Sequence, residues 1–223
     1  MREGAENKET RMKINQSIDV TRILQRDEIQ AVIADLDAKE TLNAAINHTI
    51  FRLSCCCGLR RCEIYGLNLG DVNCSGARPY IRVRPETSKA SSSGKRKGRK
   101  VPLWWDSGTL DHLRQWQDWR FSRGGNLSSP FLIVSKLGAE PDGRLAIKSL
   151  QKRWKTAVKV LGKARQAQLS IHDGRHSFAS HSLAAGRSLA EVRDALGHSN
   201  ISITSIYLHT LDRADVPDVF NFS

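Results

Sequence analysis

Apolar residues recur every three or four positions along most of the chain, which predicts amphipathic helices. A first helix begins near Arg26, and a second one ends before Gly58. Helical spacing returns in a segment around Leu110 and in a segment that ends at Gly162. The apolar positions behind these predictions are Ile29, Val32, Ile33, Leu36, Leu42, Ile46, Ile50, Leu53, Leu110, Leu113, Leu150, Trp154, Ala157, Val158 and Leu161. The pattern therefore predicts a mainly helical protein.

Two stretches in the first half of the chain are extended in character. They are RPYIRVRPE and RKVPLWW, and they flank the Ser, Gly and Lys-rich segment TSKASSSGKRKG. This arrangement predicts a β-hairpin with a long basic tip. The expected fold class is mainly α with a small β-hairpin or sheet, that is, α+β.

The last third of the chain returns to helical spacing. In SLAEVRDALGH, Ser188 and Glu191 have the spacing of a capping box, and Gly197 is expected to end the helix. The following SNISITSI permits a turn and then a short helix that carries Ile203 and Tyr207 four positions apart.

The chain divides into a short polar lead-in and one folded unit. Residues 1–20 are charged and lack periodicity, so we expect a flexible N-terminal lead-in. Residues 21–223 are expected to form a single domain, with a C-terminal tail from about residue 210. A chain of 223 residues that is 39% hydrophobic can bury the core that a single domain of this length needs.

Charge and cysteine content narrow the class of protein. The chain has 35 Lys and Arg against 23 Asp and Glu, a net charge of +12 that indicates a polyanionic partner, with nucleic acid first. Three of the five cysteines are consecutive and poorly placed to pair, which favours the reducing cytoplasm. The sequence contains neither an apolar run of the ~18 residues that a membrane span needs nor a secretory signal.

Two short motifs carry candidate chemistry. GLRRCE places Arg60 and Glu63 three positions apart, and HDGRH does the same for His172 and Arg175. Two guanidinium groups suit a phosphate diester, because each planar fork can grip its non-bridging oxygens. Taken singly, the first pair also fits a solvated ion pair, and Tyr207 fits a core aromatic.

A metal site is the alternative for the HDGRH segment. His172 and His176 have the i, i+4 spacing that presents two zinc ligands on one helix face. A third ligand with recognisable spacing is missing from the sequence, so we favour a metal-free site. We interpret the Cys55 to Cys57 triplet as helix packing rather than as a cluster site.

The order of the motifs carries more information than any one of them. GLRRCE, a lysine-bearing hairpin, HDGRH, LGHSNIS and a tyrosine nine residues after His198 resemble the tyrosine recombinase family of phage-type integrases and Xer-like enzymes. The resemblance covers about residues 21 to 210. The catalytic residues that it implies are Arg60, Glu63, Lys89, His172, Arg175, His198 and Tyr207.

The resemblance also implies a role for each of these residues. Arg60 and Arg175 would clamp the phosphate and His198 would donate a hydrogen bond to it. Tyr207 would be the nucleophile, and His172 would assist proton transfer around it.

The hairpin would supply a lysine as general acid. Lys89 fits best because it directly follows the first strand, and Lys95, Lys97 and Lys100 remain open. The basic tip could also reach along the DNA backbone as a phosphate contact, or be a solvated loop. The expected DNA-binding residues are Lys95, Arg96, Lys97, Arg99 and Lys100.

The implied activity is site-specific recombination of double-stranded DNA through a covalent 3′-phosphotyrosyl intermediate, with neither metal nor nucleotide cofactor. The resemblance also implies a homo-oligomer on DNA, in which the C-terminal tail docks on a neighbouring protomer or packs in cis. The alternatives are a type IB topoisomerase-like enzyme and a non-catalytic DNA-binding module or decayed integrase.

The sequence departs from the family pattern at two points. Gly174 stands where the family usually has leucine, and we expect a looser start of the helix that holds His172 and Arg175. Only about twenty residues precede the predicted domain, whereas family members usually carry a helical DNA-clamping domain there. We expect either a truncated or a minimal enzyme.

Overall fold

The computed structural model describes residues 18–88, 97–122, 129–134, 143–208 and 210. Most of the predicted lead-in (residues 1–20) lies outside the described residues. So do Lys89, Lys95 and Arg96 of the hairpin tip and all of the tail after Thr210. The predictions made for these segments therefore stay predictions.

The described part of the chain is mainly helical. Its α-helices are α1 (Arg26–Asp37), α2 (Leu42–Cys55), α3 (Arg61–Gly66), α4 (Ser107–Ser122), α5 (Ile147–Ala157), α6 (Lys163–Gln168), α7 (Ile171–Ala184), α8 (Leu189–Leu196) and α9 (Ser202–Ser205). Single 3-10 turns lie at Val20–Arg22, Leu69–Asp71, Pro85–Thr87 and Val158–Leu161. None of these helices is both long and apolar enough to cross a membrane.

A small antiparallel sheet completes the fold. Its strands are β1 (Val72–Asn73), β2 (Tyr80–Val83) and β3 (Arg99–Pro102), in the order β1-β2-β3. Val83 pairs with Arg99 at the end of the hairpin next to the tip. The predicted fold class, mainly helical with a small hairpin or sheet, is confirmed.

Helix α2 lies at the centre of the core. It packs against α1, α4, α5 and α7, and almost every residue from Ile46 to Cys55 is buried. Phe51 stacks on Trp154 of α5 with ring centroids 5.1 Å apart. The three consecutive cysteines at the end of α2 are buried and free, as helix packing requires.

Gly174 has a packing role that differs from the expected loosening. A Cβ at this position would lie 2.4 Å from Ser54 Oγ and 2.6 Å from Trp154 Cη2. Helix α7 therefore approaches α2 and α5 more closely than any side chain at residue 174 would allow. The start of α7 is also capped, because Asp173 accepts hydrogen bonds from the backbone N–H and the hydroxyl of Ser170. The glycine thus permits tight packing and does not loosen the helix.

Candidate active site

A buried carboxylate lies at the centre of the site. Glu63 of α3 is fully buried and accepts hydrogen bonds from Arg60 Nη1 at 3.0 Å and from the Arg60 backbone N–H at 2.8 Å. Arg99 donates to both carboxylate oxygens, at 2.7 and 2.9 Å. Burial alone would raise the pKa of Glu63, but the hydrogen bonds and charge of Arg99, the charge of Arg175 and the Arg60 backbone N–H together outweigh it and lower the pKa to about 2. The carboxylate is therefore ionised and orients two guanidinium groups.

A third guanidinium, that of Arg175, reaches the same place from α7. Its Nη1 donates to the Gly58 carbonyl at 2.5 Å and its Nη2 to the Leu196 carbonyl at 2.6 Å. Its nearest approach to Glu63 is 4.0 Å. Burial, with the positive charge of Arg60, lowers the pKa of Arg175 to about 9, so the group is still charged at neutral pH.

We call Arg60, Glu63, Arg99 and Arg175 the arginine cluster. Three guanidinium groups share one carboxylate, so the cluster carries surplus positive charge in a desolvated place. The side chain of Arg60 is 21% exposed, against 8% for Arg99 and 5% for Arg175. An anion that approaches from the Arg60 side would neutralise this charge, so the cluster has the electrostatics of an anion site.

Arg99 does not lie on the surface with the hairpin lysines, where the sequence reasoning placed it as a DNA contact. Besides binding Glu63, its Nε donates to the Ala195 carbonyl at 2.6 Å. A signal for this inward position exists, because alternation along β3 puts residue 99 on the same face as buried Val101. Lys100 points to the other face, with its Nζ 4.1 Å from the centroid of the Tyr80 ring, and it is exposed like Lys97.

His198 directly follows the turn that ends α8. Gly197 adopts φ +66, as the sequence predicted for the helix end, and a Cβ there would lie 2.8 Å from Arg99 Cδ. His198 Nδ1 lies 2.9 Å from Thr204 Oγ1. Burial and then the charge of Arg175 lower the pKa of His198 to about 3, so its imidazole is neutral at physiological pH.

Tyr207 lies in the turn after α9, because this helix ends at Ser205 rather than extending to the tyrosine. Its side chain is buried, and its hydroxyl lies 2.7 Å from Nδ1 of His176. Burial raises the pKa of Tyr207, and the charges of Arg175 and Arg60 act in the opposite direction. The hydroxyl thus contacts α7 at the residue that follows Arg175 of the arginine cluster.

The two histidines of α7 have different neighbours. His172 is exposed, and its pKa is lowered by partial burial of the ring and then by the charge of Arg175. His176, one turn later, contacts the Tyr207 hydroxyl. The spacing in the sequence suggested His176 only as a zinc ligand and did not predict this contact. In the described ranges, His, Cys, Asp and Glu side chains form no group of three that could hold a metal ion.

The structure therefore brings together six of the seven predicted catalytic residues, and Lys89 lies outside its described part. The helical fold and the grouping of arginines, histidines and a tyrosine define the class of tyrosine recombinase catalytic domains. The model of the family described as the phage integrase family matches residues 22–213. The chain belongs to this family.

Curated relatives and solved structures agree with this assignment. The chain is 37% identical over 155 residues to the tyrosine recombinase XerC of Vibrio atlanticus, covering 68% of this chain and 43% of the relative. It is 30% identical to XerC of Chromobacterium violaceum, covering 81% of this chain and 53% of the relative. The chain thus spans about half the length of the curated relatives it matches.

The fold is shared with two solved Xer recombinases. The XerA recombinase structure matches with a TM-score of 0.66 and 22% identity, over 86% of this chain and 60% of that one. The XerH site-specific recombinase bound to difH substrate, a pre-cleavage complex, matches with a TM-score of 0.63 and 21% identity, over 84% of this chain and 50% of that one.

Proposed function

We propose that this chain is the catalytic part of a site-specific DNA recombinase that cleaves and rejoins strands through a covalent 3′-phosphotyrosyl intermediate. One observation carries the proposal: the Tyr207 hydroxyl lies 2.7 Å from Nδ1 of His176, and the preceding residue of α7, Arg175, sends its guanidinium into the arginine cluster, which has surplus positive charge. A scissile phosphate held by this cluster would lie beside a nucleophile.

The arginine cluster would act on the phosphate in the transition state. The guanidinium of Arg60 is partly exposed and can bind a non-bridging oxygen directly, while Glu63 holds it in place. The charge of Arg175 would stabilise the extra negative charge that develops as the tyrosine oxygen attacks. Because these groups are fixed before DNA arrives, little reorganisation is needed during the reaction.

His198 would add a neutral hydrogen-bond donor. When Nδ1 accepts the hydroxyl proton of Thr204, Nε2 carries the ring hydrogen and can donate it to a phosphate oxygen. The pKa of about 3 keeps the ring neutral over the physiological range, so this tautomer is not displaced by protonation.

The rest of the reaction follows from the covalent bond. The bond from phosphorus to the Tyr207 oxygen forms as the bond to the 5′ oxygen breaks, and Lys89 would protonate that leaving oxygen. A second strand's 5′-hydroxyl can then reverse the step. The energy of the phosphodiester is conserved in the link, so the proposed reaction requires no nucleotide cofactor.

We further propose double-stranded DNA as the partner, a homo-oligomer on DNA and a cytoplasmic site of action. The net charge of +12 and the exposed Lys97 and Lys100 support DNA binding. A lambda integrase with the same fold is described as a dimer bound to a core site, which supports an oligomer. The five cysteines are free, which is compatible with a reducing compartment.

Capture of a covalent adduct tests the proposal. The protein is incubated with a pool of nicked suicide duplexes whose arms are randomised around the nick, and adducts are isolated under denaturing conditions and sequenced. We expect adducts enriched in one sequence, lost in Tyr207→Phe and retained in Tyr80→Phe, which removes a hydroxyl from β2.

The alternatives give different results in the same assay. Adducts without sequence preference, together with relaxation of supercoiled DNA, would favour a topoisomerase-like enzyme. DNA binding without any adduct would favour a binding module and contradict the proposal.

A further inference from the structure

We propose that His176 is a further catalytic residue, which accepts the proton of the Tyr207 hydroxyl during strand cleavage. The inference rests on the proposed function, because it requires Tyr207 to be the nucleophile. The family resemblance implies this task for His172, whereas the contact with the hydroxyl is made by the histidine one helical turn later.

The tyrosine needs a proton acceptor. A hydroxyl with an ordinary pKa of about 10 is ionised in roughly one molecule in a thousand at neutral pH. Burial raises the pKa of Tyr207 above that value, and Arg175 and Arg60 oppose this only in part. The attacking oxygen must therefore lose its proton as it bonds to phosphorus.

His176 is positioned to accept the proton of the Tyr207 hydroxyl. Its Nδ1 is 2.7 Å from the Tyr207 oxygen, which is ordinary hydrogen-bond distance for general base catalysis. Burial lowers the pKa of His176, so the ring is neutral and can accept from the hydroxyl. The guanidinium groups of the arginine cluster have no acceptor, and His198 Nδ1 is occupied by Thr204. In the described part of the chain, the Tyr207 hydroxyl makes no other side-chain hydrogen bond.

The same face of α7 holds the tyrosine segment at a second point. Thr210 Oγ1 lies 2.7 Å from Ser180 Oγ, and Ser180 lies one turn beyond His176 on the helix. Two contacts on one helix face fix the distance between the nucleophile and its base. Residue 175 of the same helix sends its side chain to the phosphate site, so α7 links both functions.

The proton and bond changes balance within the site. The hydroxyl proton moves to His176 Nδ1 while the Tyr207 oxygen bonds to phosphorus. The 5′ oxygen leaves and takes a proton from the general acid. On rejoining, the proton on His176 returns to the tyrosine, so the base is restored after each strand exchange.

The test combines a histidine variant with a more acidic tyrosine. The rate of adduct formation on a nicked duplex recovered from the pool is measured for wild type and His176→Asn, with tyrosine or trifluorotyrosine at position 207. We expect His176→Asn to slow cleavage by about 100-fold or more with tyrosine, the size of a lost general base. With trifluorotyrosine, above the pKa of its hydroxyl, we expect the two rates to agree within about threefold, because a phenolate needs no base.

The controls separate this role from others. His172→Asn changes the histidine one turn earlier. The ratio of its rate to the wild-type rate should be the same with tyrosine and with trifluorotyrosine. A defect of His176→Asn that trifluorotyrosine leaves unchanged would indicate a structural role and overturn the inference. An unchanged or faster rate with ordinary tyrosine would overturn it too. A wild-type protein that forms no adduct on any duplex would instead contradict the proposed function itself.

Discussion

Two polar clusters lie within the fold, and each contains arginine. In the arginine cluster, three guanidinium groups share Glu63. In the other, which we call the histidine cluster, Arg52 of α2 lies between His48, His112, Thr109 and Asp106. The first cluster has more positive than negative charge, and the second has one of each.

Hydrogen bonds fix the protonation of the histidine cluster. Arg52 Nε donates to His48 Nε2 at 2.6 Å, so His48 must carry its hydrogen on Nδ1, which lies 3.1 Å from Asp37. Thr49 uses its hydroxyl hydrogen on the Ala45 carbonyl and therefore accepts from His112 Nε2. Both rings are neutral, because burial lowers their pKa values far below the physiological range.

The difference in net charge between the two clusters indicates which one is a functional site and which one stabilises the fold. The histidine cluster has balanced charge and joins α2 to α4, as a structural network does. The arginine cluster keeps charge that the described residues do not neutralise, which is costly unless a ligand uses it. A surplus of buried charge therefore distinguishes the candidate site from an equally polar part of the core.

The largest effect is expected from removing the charge of Glu63. Glu63→Gln leaves three guanidinium groups close together without their carboxylate, and we expect the free energy of unfolding to fall by about 3–5 kcal/mol. Urea denaturation followed by tryptophan fluorescence measures this change.

Glu86→Gln is the matched control for this substitution. Glu86 pairs with Arg84 at 3.2 Å, but its side chain is 62% exposed, so the same change should cost about 1 kcal/mol or less. Equal losses in the two variants would show that Glu63 does not compensate buried charge.

The sequence predicted Arg60, Glu63 and Arg175 of the arginine cluster but not the inward position of Arg99. Arg60 and Glu63 were found because they lie three positions apart, a distance that local helix geometry translates directly into contact. Arg99 comes from a strand 36 residues away from Glu63, and only tertiary packing brings the two together. The turn at Gly197 was predictable too, because a glycine directly after a helical pattern is a local signal for the end of a helix.

His176 and Gly174 show the same limit on α7. Helical spacing gives the two histidines of α7 the same face, so it cannot decide which of them meets Tyr207. The close approach of α7 to α2 depends on Trp154 and Ser54, which lie far away in sequence. The sequence alone therefore predicted that Gly174 loosens the start of α7, whereas in the structure it permits tight packing.

Acid should weaken the histidine cluster. Burial lowers the pKa of His48 to about 2 and that of His112 to about 3, whereas both are near 6.5 in the unfolded chain. The unfolded state therefore binds more protons below pH 6.5, and stability falls as the pH drops from 6.5 towards 3. At pH 5 each ring should cost about 2 kcal/mol relative to pH 7 or above.

A glutamine in place of His112 tests this dependence. His112→Gln keeps an N–H donor for Thr49 and removes the titrating ring, so the loss of stability between pH 7 and 5 should shrink by about 2 kcal/mol. Urea denaturation at each pH measures it. His172→Gln, at an exposed ring whose pKa is also lowered but less strongly, should reduce the pH dependence by less than His112→Gln does. An unchanged pH dependence in His112→Gln would show that this ring does not stay neutral in the fold.

The smallest effect concerns the helix that supplies Arg175. In Gly174→Ala the added Cβ meets Ser54 and Trp154, at a cost of about 1–3 kcal/mol, which the higher helix propensity of alanine offsets by about 1 kcal/mol. We expect a net loss of about 1 kcal/mol in the free energy of unfolding, again by urea denaturation. Gly70→Ala should be close to neutral, because a Cβ there meets nothing within 4 Å.

In a Trp154→Phe background the ring no longer reaches residue 174, so the penalty of Gly174→Ala should decrease. A penalty that is the same in both backgrounds would mean that Trp154 does not set how closely α7, and with it Arg175, approaches the core.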